Sequence, residues 1–151
     1  MKQSKRIDPL LKRAQEHEDA VARDLADRQR TLDTHLSRLD ELRRYADEYA
    51  GAQMAATSPA QLMNRRAFLD RLDSAVAQQR QTVDNNREKV EAERARLLLA
   101  SRDKQVLEQL AASYRAQERQ VAERSDQRDM DELGARRVRR LQAEDQDGGT
   151  A

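Results

Sequence analysis

From Ala60 to Leu133 the chain contains neither Gly nor Pro. A stretch that long without a breaker does not fit the short elements of an ordinary layered domain. The few breakers elsewhere are placed where a long helix would start or stop. Pro9 follows Asp8, a good N-cap with proline at the first helical position. Pro59 follows Ser58, and Gln61 stands where a capping box wants Glu or Gln. Gly51 and Ala55-Ala56-Thr57 precede it, and Gly148-Gly149 marks a loose tail. The punctuation predicts one helix over about 9–54, a turn at about 55–58, a second helix over about 59–143 and a tail at 144–151, all in a single domain. At 1.5 Å per residue these helices would run about 65–70 Å and about 125 Å, which is coiled-coil length.

Composition agrees. Of the 151 residues, 38% are charged, 37% hydrophobic and only 3% aromatic, and the apolar ones are chiefly Leu, Ala and Val. These residues fill long helices, and a net charge of +1 sets the chain apart from disordered polyelectrolytes. There is no Cys, so disulfides, thiolate metal sites and a thiol nucleophile are excluded. No signal-peptide pattern follows Lys2, Lys5 and Arg6, and the longest apolar run, Leu97–Ala100, is far short of a membrane span. The expectation is a cytoplasmic helical rod without membrane insertion.

Apolar spacing supplies the register. In the first helix Leu11, Leu25, Leu32, Leu39 and Ala46 share one heptad position; Ala14, Val21, Leu42 and Tyr49 share the other, interrupted by Arg28 and His35. In the second, Leu62, Leu69, Val76, Val83, Val90 and Leu97 form one seam row, with Arg65, Leu72, Gln79, Asn86, Glu93 and Ala100 beside it. Past Leu97 the apolar spacing predicts a phase slip, with Leu107, Leu110, Tyr114 and Val121 in a new register. A short turn between long helices makes them antiparallel neighbours. The fold class predicted is all-α, an antiparallel two-helix coiled coil (an α-helical hairpin) whose longer second helix overhangs. His35 then falls near Val76 or Gln79. The first helix runs out near residue 103, leaving the last forty or so residues unpartnered and ready to pair with another protein or with themselves.

Enzyme signatures are absent: there is no phosphate loop, no H-E-x-x-H and no G-x-S-x-G. His17 and His35 are too far apart to share a ligand-binding face. No catalytic, cofactor-binding or metal-binding residue is assigned, and neither a cofactor nor a small-molecule substrate is expected. Tyr45, Tyr49 and Phe68 flank the turn and converge at the hairpin tip, where exposed rings are a common anchor for partners. Arg136-Arg137-Val138-Arg139-Arg140 suits the negative end of a helix dipole or an acidic partner. Without interleaved aromatics it does not point to nucleic acid.

Three segments resemble the FliJ family of the bacterial flagellar export apparatus. Leu42-Arg43-Arg44-Tyr45-Ala46-Asp47-Glu48-Tyr49 is similar to its L-x-x-Y-x-x-E-Y segment. The stretch from Asn64 to Val76 matches N-x-x-x-F-[LI]-x-x-L-x-x-A-[IV], and Asp126–Leu133 matches D-Q-[KR]-x-M-D-E-[LF]. The resemblance implies a non-enzymatic stalk that binds and stimulates the hexameric export ATPase, contacts the cytoplasmic domain of the export gate membrane protein and escorts export chaperones. It would lie in the cytoplasm, peripheral to the inner-membrane export apparatus. The gate-contacting face would fall on Leu42, Tyr45, Tyr49, Phe68, Leu72 and Ala75, with Gln79 departing from the pattern at its edge. The overhang, with Tyr114, Met130, Leu133, Arg136 and Arg137, would meet the ATPase or chaperones. The alternatives are the equivalent stalk of a virulence-type secretion system and a homo-oligomeric scaffold in which the overhang pairs with itself.

Overall fold

The computed structural model describes residues 2–52 and 58–149, all but a few of which are helical. Helix α1 spans Gln3–Gly51 and helix α2 spans Pro59–Asp147. Most of the turn expected at 55–58, and the end of the first helix expected at residue 54, lie outside the described residues. The start of α2 forms as its sequence dictates. The Gln61 amide donates to Ser58 Oγ at 3.3 Å, so serine caps the helix and Pro59 occupies the first turn, where its missing N–H costs nothing. At its other end α2 continues four residues past the expected 143.

The start of α1 corrects the sequence reading. Pro9 does not open the helix but lies inside it, and α1 begins at Gln3. A proline here removes one backbone hydrogen bond and crowds the carbonyl four residues earlier. Tertiary contacts offset that loss, because Ser4 and Ile7 are both buried.

Packing divides the chain into two units. One comprises Ala14–Asp103. Within it, Tyr49 meets Phe68, His35 meets Gln79 and Asp24 approaches Arg96, so rising numbers on one helix face falling numbers on the other and the helices are antiparallel. The core is a thin seam, with Val21, Leu39, Leu72, Val83, Val90 and Ala100 buried. Burying one such valine contributes about 1.5–3 kcal/mol. Polar residues in the seam are hydrogen-bonded. Gln79 Nε2 reaches the His35 carbonyl at 3.0 Å and lies 3.2 Å from its Nδ1. Buried Asn86 donates to the Thr82 carbonyl at 2.8 Å, and Arg96 donates to both carboxylate oxygens of Glu93. Where Arg28 interrupts the first helix's heptad row it stays exposed, and neighbouring Gln29 is half-buried in its place.

The other unit joins Met1–Arg13 to Lys104–Ala151. Ser4 donates twice to Glu118, from its amide to Oε1 at 3.1 Å and from its hydroxyl to Oε2 at 2.7 Å. Arg115 pairs with Asp8 at 3.0 Å. Ile7 and Ala111 are buried, and Lys104, Leu107 and Tyr114 are half-buried. These positions continue the heptad of Leu97 and Ala100 without a break, so the expected phase shift does not occur. Leu110 and Val121, assigned to a new register, are exposed instead. The apparent shift arose from Lys104 and Glu118, polar residues in seam positions that a search for apolar spacing passes over. From Arg119 to Gly149 every described residue is exposed. The unpartnered part of α2 is therefore shorter than forty residues, and Tyr114 does not belong to it.

Candidate functional site

Three rings converge where α1 ends and α2 begins. Phe68 lies 4.5 Å from Tyr49, centroid to centroid and tilted, and 6.4 Å from Tyr45, edge to face. Both distances fall within the attractive range for aromatic pairs. The spacing explains the grouping: Tyr45 and Tyr49 are four apart on one face of α1, and Phe68 sits beside the seam row of α2. Tyr49 and Phe68 are half-buried, whereas Tyr45 is 52% exposed. The cluster has a packed base and an open ring above it.

The other residues expected on this face divide between surface and core. Leu42 and Ala75 are half-buried, but Leu72 is 8% exposed and belongs to the seam. It offers almost no surface to a partner. Two residues not assigned to the face do offer surface. Leu62, placed in the seam by its heptad position, is 53% exposed, and Met63 is 73% exposed. The heptad argument failed for Leu62 because it lies in the first turn of α2, at the end of the paired region.

Arg65 fixes the geometry of this end. It occupies a seam position, and its Nη2 donates to the carbonyls of Tyr49, Ala50 and Ala52 at 3.4, 3.3 and 2.8 Å. The last carbonyls of a helix lack intrahelical donors and carry the negative end of its dipole. A cation from α2 thus caps α1 and holds Tyr49 near Phe68. Its Nε is buried without a hydrogen-bond partner. The sequence signal was an arginine in a seam row, which reads only as a break in hydrophobicity.

In the terminal unit the assigned residues do not form one site. Tyr114 is half-buried and, with Lys2, Val121 and Ala122, lines a groove of about 550 Å³ beside the start of α1. Met130, Leu133, Arg136 and Arg137 are exposed further along α2, with Arg136 paired to Glu132 at 3.0 Å. Among the described residues, no helix is long and apolar enough to cross a membrane.

The family model described as Flagellar FliJ protein matches residues 3–143. The chain belongs to the FliJ family. The matched span begins where α1 begins and includes all three segments that carried the resemblance. No curated protein and no solved structure gives a match. This FliJ-family chain is accordingly a component of the flagellar export apparatus, and the family is one of structural export components with no enzymatic role.

Proposed function

We propose that this FliJ-family chain is a non-enzymatic export stalk with two working ends. The ring cluster, with Tyr45, Leu62 and Met63 outermost, docks on the cytoplasmic domain of the export gate. The exposed part of α2 engages the hexameric export ATPase, stimulates it, and takes part in the escort of export chaperones. The protein acts in the cytoplasm, peripherally at the inner-membrane apparatus. The observation that carries this reading is the ring cluster itself: in a chain with so few aromatics, three meet at one end and the outermost is half exposed. Exposed aromatic anchors over a rigid base are what interface hot spots are made of. No catalytic residue is needed. A helix that presents different side chains to successive subunits of a ring biases their states through differential contacts.

The test is binding of the purified chain to the gate's cytoplasmic domain and to the ATPase. Tyr45→Ala with Phe68→Ala should weaken gate binding at least about thirtyfold, the effect of losing one strong anchor, while ATPase binding and overall helicity persist. Gate binding that survives the double replacement would refute the assignment of this end.

A further inference from the structure

The exposed run of α2 past Glu118 carries charge in bands. Asp126, Asp129, Asp131 and Glu132 precede Gly134, with Arg128 among them, and Arg136, Arg137, Arg139 and Arg140 follow it. Further out, Arg119, Glu123 and Arg124 lie before the acidic band, and Glu144, Asp145 and Asp147 after the basic one. Reversing the chain direction about Ala135 therefore lays acid against base around the centre of the run, while Asp126 meets Glu144 further out. Met130, Leu133, Val138 and Leu141 fall on one side of the helix at 100° per residue, and they are 68, 63, 53 and 56% exposed. Gly134 lies between them, and the space a Cβ would take there is open, so a second backbone can approach closely.

We propose that this segment pairs antiparallel with the same segment of a second copy of the chain, about a two-fold axis beside Ala135. Met130 then lies opposite Leu141 of the second copy, Asp129 opposite its Arg140, and Arg124 opposite its Asp145. Each contact occurs twice, as an isologous interface requires. Parallel pairing in register would set acid on acid and base on base, so charge selects the antiparallel form. The pair between Arg136 and Glu132 is exposed within one helix and exchanges at little cost. Self-pairing covers Met130, Leu133, Arg136 and Arg137, so the second copy competes with any other partner of this face.

The test is the association of the full-length chain by sedimentation equilibrium. A reversible dimer should form and should weaken as salt rises from about 0.1 to about 1 M, which shortens the Debye length from about 10 to about 3 Å. Arg139→Glu with Arg140→Glu reverses the basic half of the central contacts, and Asp129→Arg with Asp131→Arg reverses the acidic half that faces it. Each alone should dimerise at least about tenfold more weakly, the worth of several exposed pairs, and their mixture should associate again. The chain has no native cysteine, so direction can be read by cross-linking. Met130→Cys mixed with Leu141→Cys should form a disulfide, whereas neither variant alone should do so. A chain that stays monomeric at every concentration, a dimer indifferent to both charge reversals, or cross-links formed by single variants alone would overturn the proposal.

Discussion

Glu118 shows what one polar residue does in a thin seam. The hydroxyl and amide of Ser4 both donate to its carboxylate, which lowers its pKa; nearby Lys2 and Arg115 act in the same direction, against desolvation. A carboxylate whose pKa is depressed in the folded state adds stability that is present above its unfolded value and is lost as pH falls through the folded one. The first turn of α1 should therefore exchange its amide hydrogens faster as pH drops below the usual carboxylate range, once intrinsic rates are corrected for. Ser4→Ala, which keeps the amide donor, should weaken that dependence, and Glu118→Gln should remove it. An unchanged acid profile in both variants would show that the pair does not hold this turn. Arg65 has the matching role at the other end of α1. Arg65→Ala should cost about 1–2 kcal/mol, read as faster exchange in residues 46–51 with the middle of the helix unaffected.

At the scale of the helices, stability comes from a narrow strip of buried side chains, because two packed helices shield only their facing rows. That strip tolerates Lys104, Glu93 and Gln79 since each meets polar partners. It also draws Pro9 into the interior of α1. If α1 starts at Gln3, Pro9→Ala restores a backbone hydrogen bond and should raise stability by about 1–3 kcal/mol. If the helix instead began at Pro9, the replacement would be neutral or harmful. Thermal unfolding followed by circular dichroism separates the two.

For the molecule as a whole, the paired residues and the exposed run of α2 have different roles. Every described residue past Glu118 is exposed, so the helicity of this run rests on local propensity and ion pairs, while the paired region rests on burial. Truncation after Gln120 should leave the thermal midpoint of the remaining chain within a few degrees of the full-length value and remove helical signal in proportion to the residues lost. It should also abolish ATPase binding while gate binding persists. A large fall in the midpoint would mean that the run beyond Glu118 supports the paired helices.

The sequence by itself determined that the chain forms two long helices, where the second begins, that they pair antiparallel, and that Tyr45, Tyr49 and Phe68 meet at one end. Those features follow from local causes: proline and serine at a cap, a long absence of breakers, and apolar residues at heptad spacing. The three motif segments also sufficed for the family resemblance. Tertiary structure alone decided where α1 starts, because burial of Ile7 and the bonds from Ser4 to Glu118 outweigh the signal of Asp8 and Pro9. It decided the register past Leu97, since a polar residue holds a seam position when a partner makes its bonds, as Ser4 does across the seam for Glu118 and Glu108 along the helix for Lys104. It decided which face residues are surface as well: Leu72 is buried in the seam, and Leu62 and Met63 stand out in solvent. Heptad position states which way a side chain points, and only the neighbouring helix determines whether anything lies there to cover it.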